Sequence, residues 1–278
     1  MRNKTWLITG ATRGLGLSIT KAALNAGYNV VATARNLEAL RLNLGTDNKN
    51  LLTLPLDVSN DIQIAATISA ASDRFGGIDV LVNNAGYGLL GAFEQTNRHE
   101  IELQFSTNVF GVFAMCRAVL PLMRKKMSGH IFNISSIAGV SGMAGASVYC
   151  ASKFAVSGFS EALAQEVSSF GIKVTVVQPG AFKTDFLDPT SAQFANHKIE
   201  DYKEFSDKIA ASSSANNHQQ TGSPERLAQA LLTLSSENSM PPHFLAGSDA
   251  ITMASARLSA LSKELETWKE LSNSTDNN

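Results

Sequence analysis

The chain has 278 residues, of which 44% are apolar and 17% charged, and its 23 basic and 24 acidic side chains leave a formal net charge of −1. This apolar fraction excludes a disordered or fibrous chain, and the near-zero charge argues against binding to nucleic acid, which needs uncompensated Lys and Arg. The two cysteines, Cys116 and Cys150, cannot form a disulfide framework and suit a reducing compartment, so we expect a cytoplasmic location.

Apolar runs of strand length alternate with stretches of helical period along most of the chain. Six strand-then-helix repeats whose strands are apolar on both faces predict an α/β fold, a doubly wound parallel sheet with helices on both faces. Ligands of such a sheet bind beyond the carboxyl ends of the strands, at the switch point. The predicted strands are 5–9, 28–34, 51–56, 78–82, 130–134 and 172–178, and the helices are 14–26, 36–45, 59 or 61 to 76, 98–127 and 147–170.

The last third of the chain is more polar. Residues 183–222 are predicted to form a substrate lid, and the low-complexity stretch 211–220 within it is expected to be mobile. Ser223-Pro224 predicts the start of a helix that reaches about residue 236. A last strand at 243–247, a helix at 248–271 and a frayed tail at 272–278 complete the chain.

No internal repeat and no long linker divides the sequence. We therefore predict one Rossmann-like domain of about seven strands, in which residues 1–182 carry the cofactor and the chemistry. No window approaches the roughly 18 uninterrupted apolar residues that a membrane span needs, so no span is expected.

A glycine-rich segment, TGATRGLG at 9–16, connects the first strand to the first helix. Glycines there let a pyrophosphate approach backbone N–H groups at a helix N-terminus, where the helix dipole favours negative charge. The spacing Gly-x-x-x-Gly-x-Gly differs from the usual dinucleotide fingerprint, and a tight turn alone is the alternative. Its position after the first strand favours a nucleotide site, with candidate contacts at Gly10, Thr12, Arg13, Gly14, Leu15 and Gly16.

The end of the second strand should decide which cofactor binds, because an acidic residue there would bind the ribose hydroxyls of NAD. The strand ends instead at Ala34-Arg35. A single loop arginine is usually a solvated surface charge, but Arg35 and Arg13 converge on the expected position of one phosphate, which Arg can bind in bidentate geometry. The sequence therefore predicts NADP(H) as the cofactor.

Two further loops follow strands at the same edge of the predicted sheet. Asp57-Val58 follows the third strand, where Asp57 is placed either to reach an adenine amino group or to cap a helix. Asn84, Ala85 and Gly86 follow the fourth strand, and these small or amide side chains suit a backbone that passes close under a ribose.

Ser136, Tyr149 and Lys153 form the candidate chemical centre. Tyr149 and Lys153 are spaced i, i+4 and share one helix face. The lysine cation, helped by an oxidised nicotinamide, is expected to lower the pKa of the tyrosine from its usual value of about 10. Such a pair is otherwise usually structural, but at a switch point, with a serine hydroxyl opposite, it indicates acid–base catalysis of hydride transfer.

These motifs resemble the short-chain dehydrogenase/reductase family in order and spacing: TGATRGLG (9–16), NNAG (83–86), STNVFGVF (106–113), ISS (134–136), YCASK (149–153) and Pro179-Gly180-x-x-x-Thr184. The resemblance implies that Tyr149 is the general acid/base and that Ser136 positions the carbonyl. It further implies that Lys153 holds the nicotinamide ribose and tunes the tyrosine, and that Asn108 keeps a helix kinked around a proton-relay water. By the same resemblance Ile134, Pro179, Gly180, Phe182 and Thr184 contact the cofactor.

The end of the chain is similar to a bacterial group of reductases related to 17β-hydroxysteroid and retinol dehydrogenases, which implies NADPH-linked carbonyl chemistry on a fairly apolar small molecule. Candidate substrate contacts are Leu89, Met143, Phe186 and Phe194. A catalytically silent NADP(H)-sensing protein and a reductase of a carrier-bound ketone remain alternatives. The five histidines lack metal-ligand spacing, so no metal is predicted. The family resemblance implies a homodimer or homotetramer through helices 98–127 and 147–170.

Overall fold

The computed structural model describes residues 3–188, 191–237 and 239–277. One seven-stranded parallel sheet runs through the molecule in the order β3-β2-β1-β4-β6-β7-β9, and β5 pairs with β8 in a separate two-stranded parallel ribbon. The strands are β1 (Thr5–Thr9), β2 (Asn29–Ala34), β3 (Leu51–Pro55), β4 (Val80–Asn83), β5 (Gly88–Leu90), β6 (Gly129–Ile134), β7 (Ile172–Pro179), β8 (Ala192–Phe194) and β9 (His243–Ala246).

Helices connect the strands and begin where the sequence offers a cap. The Asn36 side chain accepts a hydrogen bond from the Ala39 amide at the start of α2, Asn60 caps α3, and Ser223 caps α8 ahead of its first-turn proline. The helices are α1 (Gly14–Asn25), α2 (Leu37–Leu44), α3 (Asp61–Phe75), α4 (Arg98–Phe105), α5 (Gly111–Lys126), α6 (Ser147–Val167), α7 (Lys203–Asn216), α8 (Pro224–Leu234) and α9 (Ser248–Asn273).

The predicted fold class is confirmed, with a hydrophobic core on each face of the sheet. Successive side chains of a strand point to opposite faces, so Trp6 and Ile8 of β1 pack with α1 and α8, whereas Leu7 packs with α3, α5 and α6. The strand order reverses between β1 and β4. The loops after these two strands therefore diverge, and a crevice opens between them at the carboxyl edge of the sheet.

The long helix predicted at 98–127 is interrupted in its middle. Residues Ser106–Phe110 form a π-helical turn that joins α4 to α5, and this turn carries Asn108, which is buried. A π turn widens the helix locally and is common at functional sites.

Within the stretch 211–220, which is expected to be mobile, α7 continues to Asn216. Ion pairs one turn apart, Lys203 with Asp207 and Lys208 with Glu204, support the helix. The helix is docked on the domain, since the Ser206 hydroxyl donates to Gln95 Oε1 over 2.6 Å.

Two shorter features also differ from the prediction. The β5–β8 ribbon was not predicted, because strands of three residues give no readable alternation. The closing helix α9 extends to Asn273, so the first two residues of the expected frayed tail are helical. Asn278, the last residue of that tail, lies outside the described residues, as do Pro189 and Thr190 of the predicted lid.

Among the described residues, one helical stretch, 98–126, is long and apolar enough to cross a membrane by length and composition alone. A buried core helix passes the same test, and Met115, Val119 and Met123 of this stretch are buried against the sheet. The stretch is therefore weak evidence, and the absence of a span stays a prediction.

Candidate active site

A cavity of about 770 Å³ opens at the carboxyl edge of the sheet, across the switch point. The catalytic candidates Ser136, Tyr149 and Lys153 line it, together with Met143 and Phe186 from the substrate candidates. The predicted cofactor contacts that line it are Gly10, Thr12, Arg13, Gly14, Leu15, Arg35, Asp57, Val58, Asn84, Ala85, Gly86, Ile134, Tyr149, Lys153, Pro179, Gly180, Phe182 and Thr184. Gly16, Asn108, Leu89 and Phe194 are not among the lining residues.

The turn after β1 has the shape that a phosphate cradle requires. Gly10 and Gly14 have φ values of +66° and +53°, which glycine adopts without strain. A Cβ on Gly16 would lie 2.3 Å from the carbonyl oxygen of Gly10, so this glycine lets the turn fold back on itself rather than line the cavity. No side chain caps the N-terminus of α1, and its first N–H groups therefore suit an anionic ligand.

The glycine turn is fastened to the loop after β4 by Thr9 and Asn84. The Thr9 hydroxyl accepts hydrogen bonds of 3.0 Å from the amides of Asn84 and Ala85. The Asn84 carboxamide donates to the carbonyl oxygens of Thr9 and Gly10, at 2.9 and 3.0 Å. The two halves of the crevice are thus joined by side chains, and Thr9 is a supporting residue that the motif contains but sequence reasoning did not single out.

The end of the cavity beside β2 carries the groups predicted to select the cofactor. Arg13 and Arg35 both line the cavity and are exposed to solvent. Burial acts to raise the pKa of Asp57, but hydrogen bonds from the Ser59 hydroxyl and amide and the charge of Arg35 bring it below its usual value. Since Asn60 caps α3, the helix-cap interpretation of Asp57 is wrong. Asn43, which was not predicted, donates to the carbonyl oxygen of Thr12 over 2.9 Å.

Tyr149 lines the cavity and is only 6% exposed. Its ring packs against Phe186, with centroids 5.6 Å apart. Burial raises the pKa of Tyr149 above its usual value of 10, and a hydrogen bond with the Ser136 hydroxyl opposes this shift only in part. The expected lowering of this pKa is therefore wrong for the protein chain alone, because desolvation outweighs the hydrogen bond with Ser136.

Lys153 follows Tyr149 by one helical turn and is buried as well. Its Nζ donates to the carbonyl oxygen of Ile134 over 2.9 Å and lies 5.7 Å from the centre of the Tyr149 ring. Burial lowers the pKa of Lys153 from 10.5 to about 8. At neutral pH most of the lysine is therefore still charged and close to the phenol.

Asn108 approaches the site from the π turn behind the cavity. Its Nδ2 donates to the Tyr87 carbonyl over 2.9 Å, and its Oδ1 accepts from the Tyr87 amide over 3.1 Å. A Cβ on Gly86 would lie 3.1 Å from Asn108 Oδ1, a tight contact, and 3.8 Å from Lys153 Nζ, so a glycine here lets the loop pass close to both groups. In the chain alone Asn108 anchors the loop after β4.

The substrate candidates divide into two pairs. Met143 and Phe186 line the cavity beside Tyr149, as does Leu187. Leu89 lies in β5, is 2% exposed, and donates its backbone amide to Gln104 Oε1. Phe194 lies in β8 and is 39% exposed. The unpredicted β5–β8 ribbon explains the difference, because it holds both residues away from the cavity lining.

Gln220 and Asp249 are among the polar cavity residues that were not predicted. The Oε1 atom of Gln220 is buried and has no hydrogen-bond partner within the described part of the chain, which suits a contact with a bound molecule. Asp249, in the first turn of α9, accepts a 2.6 Å hydrogen bond from the Ala181 amide. The rule that ligands meet residues just beyond strand ends could have identified Asp249, which follows β9.

One group of potential metal ligands occurs in the part of the chain that the structure describes. Suitable atoms of Asp185, Asp188 and His218 lie within 4.8 Å of one another. Asp188 already accepts from Asn217 over 2.6 Å and contacts His218 at 3.3 Å. The group is partly exposed, and Asp188 already has two partners within the chain, so we assign it no ion.

Comparisons with known proteins agree with this geometry. The family model described as short chain dehydrogenase matches residues 4–194. Oxidoreductase BOA17 from Botryotinia fuckeliana is 39% identical over 270 residues, which cover 97% of this chain and 98% of that protein. A 3-ketodihydrosphingosine reductase from Bacteroides thetaiotaomicron is 43% identical over 202 residues, covering 73% and 72% of the two chains.

Solved structures extend the similarity to the whole chain. The crystal structure of a short-chain dehydrogenase from Streptomyces avermitilis superposes with a TM-score of 0.90 at 36% identity, and the match covers 100% of both chains. ElxO with NADP bound superposes with a TM-score of 0.74 at 29% identity and covers 90% of this chain and 99% of its own.

Proposed function

The chain belongs to the short-chain dehydrogenase family of oxidoreductases, and from this membership we propose that it is an NADP(H)-dependent enzyme that interconverts a carbonyl group and a secondary alcohol on a fairly apolar substrate. The observation that carries the proposal is the convergence of Ser136, Tyr149 and Lys153 on one cavity that a glycine-rich helix N-terminus also lines.

The cradle fits a dinucleotide. The glycine-rich turn and the uncapped N-terminus of α1 border one cavity of about 770 Å³. The same cavity is lined by Arg35 at the end of β2 and by the buried Tyr149. Arg13 and Arg35 both line the cavity and would bind a 2′-phosphate, and no carboxylate follows β2 directly to repel it. ElxO with NADP bound supports the same preference. When bound, the nicotinamide supplies or accepts the hydride.

Tyr149 is the proton donor in the direction of reduction. Its raised pKa keeps the phenol protonated at neutral pH, and Ser136 is placed to hold the same substrate oxygen that receives the proton. Once the proton has left, the Ser136 hydroxyl and the Lys153 ammonium stabilise the phenolate. Asn108 keeps the loop at Gly86 against these groups.

The substrate end of the cavity is apolar. Met143, Phe186 and Leu187 form its wall beside Tyr149, and such a wall with few polar groups suits a hydrophobic ketone, aldehyde or secondary alcohol. The relative named 3-ketodihydrosphingosine reductase supports a ketone. A silent sensor is disfavoured because the four residues that the family chemistry uses, Asn108, Ser136, Tyr149 and Lys153, are all present. A carrier-bound ketone is disfavoured because the net charge of −1 offers no general attraction for an acidic carrier.

The cellular setting belongs to the same proposal. Two buried free cysteines suit a reducing, cytoplasmic compartment.

Phe110 of the π turn and Phe154 of α6 are exposed, at 59% and 45%. Both lie on the helices through which the family resemblance implies a homodimer or homotetramer.

The decisive experiment follows NADPH oxidation spectrophotometrically over ketones and aldehydes of graded size, with Tyr149→Phe as the test variant. We expect the variant to bind NADPH and to lose at least about a hundredfold in kcat, the usual contribution of a positioned acid. Tyr28→Phe, which removes a phenol hydroxyl from the core beside Trp6, is the matched control and should keep its activity. Retained turnover in Tyr149→Phe would refute the mechanism.

Cofactor preference is tested separately. Arg35→Asp should raise KM for NADPH at least about tenfold and leave KM for NADH nearly unchanged, since only NADPH carries the 2′-phosphate. Arg41→Asp makes the same charge change on α2, outside the cavity lining, and should change neither constant. An unaltered ratio of the two KM values in Arg35→Asp would contradict the assignment of the phosphate site.

A further inference from the structure

The second half of α9 projects from the domain without any cover. Ala250 and Ala254 are buried against the domain, but every residue from 258 to 273 is exposed. These exposed residues include large apolar side chains, with Leu258 63%, Leu265 67% and Trp268 60% exposed. Leaving this much apolar surface in water is unfavourable, and an exposed apolar patch of this kind is typical of an interaction surface.

The apolar residues form a regular line, which we call the α9 stripe: Leu258, Leu261, Leu265 and Trp268. Their spacing of three, four and three residues is the a/d pattern of a coiled coil, a seam narrower than the apolar face of a helix that packs on a globular core. Ala254 lies four residues before Leu258, so the stripe continues the face by which α9 already packs on its own domain.

The charges beside the stripe favour another helix of the same kind over a lipid surface. The projecting half carries Lys263, Lys269, Glu264, Glu266 and Glu270. An interfacial membrane helix is rich in Lys and Arg on its polar face, whereas here both signs are mixed and three acidic residues outnumber two basic ones. Mixed charges flanking an a/d seam are typical of paired helices.

We propose that the α9 stripe pairs in parallel with α9 of a second copy of this chain. In the heptad, Glu264 occupies position g and Lys269 position e. A parallel pair therefore sets Glu264 of one protomer opposite Lys269 of the partner subunit, twice per dimer. An antiparallel pair centred on the stripe would set Glu264 opposite Glu264 of the partner subunit, which like charges disfavour.

The stripe spans about 15 Å of helix, which is short for an isolated coiled coil. Its helix is already ordered by the domain at its N-terminal end, and this reduces the entropy lost on pairing. The contact is distinct from the surface of α4, α5 and α6. It brings the C-terminal ends of two chains together.

Sedimentation velocity over a concentration series of the full chain tests the pairing. Leu265→Lys places a charge in the seam and should raise the dissociation constant of one association step at least about tenfold. Thr267→Lys adds the same charge on the exposed opposite face and should leave it unchanged. Equal association in Leu265→Lys and wild type would overturn the proposal, as would a wild-type chain that stays monomeric.

Cross-linking tests the parallel orientation. Because Cys116 and Cys150 are buried, an introduced Leu261→Cys is the accessible thiol, and in a parallel pair it faces its counterpart and should form a disulfide dimer on mild oxidation. Thr267→Cys should not. Failure of Leu261→Cys to cross-link would overturn the parallel arrangement. Binding of the wild type, but not of Leu265→Lys, to phosphatidylcholine–phosphatidylserine vesicles would assign the stripe to a membrane instead.

Discussion

Replacement of Asp249 should weaken cofactor binding through the loop that follows β7. The Asp249 carboxylate lies beneath this loop, where Oδ2 accepts a 2.6 Å hydrogen bond from the Ala181 amide. A Cβ on Gly180 would lie 2.3 Å from the carboxylate oxygens, so the loop and the side chain are in close contact. The same loop carries Gly180, Ala181, Phe182 and Thr184, which line the cavity.

The size of the effect follows from this contact. A hydrogen bond to a charged group contributes about 1.5–3 kcal/mol. In Asp249→Ala the loop loses this hydrogen bond, so part of the free energy of NADPH binding must be spent on ordering the loop. The dissociation constant for NADPH should therefore rise about ten- to a hundredfold. Asp249→Asn keeps an acceptor oxygen at the same place and should lose about threefold or less.

Titration of NADPH by fluorescence, beside thermal unfolding of the same variants, separates binding from stability. Ser248→Ala, at the exposed neighbouring position, is the control and should bind NADPH as the wild type does. A dissociation constant within twofold of the wild type in Asp249→Ala, together with a lower melting temperature, would show that Asp249 only stabilises the fold. The reasoning would then be refuted.

Two further predictions concern the scaffold. Burial, with the charges of Lys173 and Lys4, lowers the pKa of His130 from 6.5 to about 3. The unfolded chain binds the proton first as pH falls, so stability is full above pH 6.5 and decreases toward pH 3, by about 2 kcal/mol at pH 5. In urea unfolding at pH 7.5 and 5, His130→Leu should remove that part of the difference, and an unchanged difference would contradict it. Gly16→Ala places a Cβ 2.3 Å from a backbone oxygen and should abolish NADPH binding at a cost of about 1–3 kcal/mol of stability. The control is Gly158→Ala in α6, where an added Cβ would have no atom within 4 Å; it should be neutral or stabilising by up to about 1 kcal/mol. Normal NADPH binding by Gly16→Ala would contradict the assignment of the glycine turn as the phosphate cradle.

The sheet and the cofactor turn could be predicted because their signals are local. A buried parallel strand appears as an unbroken apolar run, and six such runs alternate with helical stretches. The glycines at 10, 14 and 16 follow the first run directly, so their place at the carboxyl edge follows from chain order alone. The helix caps Asn36 and Ser223 were predictable for the same reason, since capping needs only the next three residues.

The features that were missed depend on contacts between distant parts of the chain. The β5–β8 ribbon joins residues about a hundred positions apart through two three-residue strands, and it removes Leu89 and Phe194 from the cavity lining. The helix α7 docks on the domain through the hydrogen bond from Ser206 to Gln95. This contact could not be predicted from the composition of an Ala/Ser-rich stretch. Asp249 meets Ala181 only because β9 pairs with β7.

The chemistry of Tyr149 shows the same division between local and long-range causes. The i, i+4 spacing correctly predicts that Lys153 lies beside the phenol. Spacing does not predict the direction of the pKa shift, because burial of the whole site decides it: the same desolvation raises the pKa of the tyrosine and lowers that of the lysine to about 8. The chain by itself therefore holds Tyr149 as a protonated acid, the form that reduction of a carbonyl requires. In the proposed mechanism the reverse reaction, oxidation of an alcohol, needs the phenolate, which the raised pKa of Tyr149 disfavours.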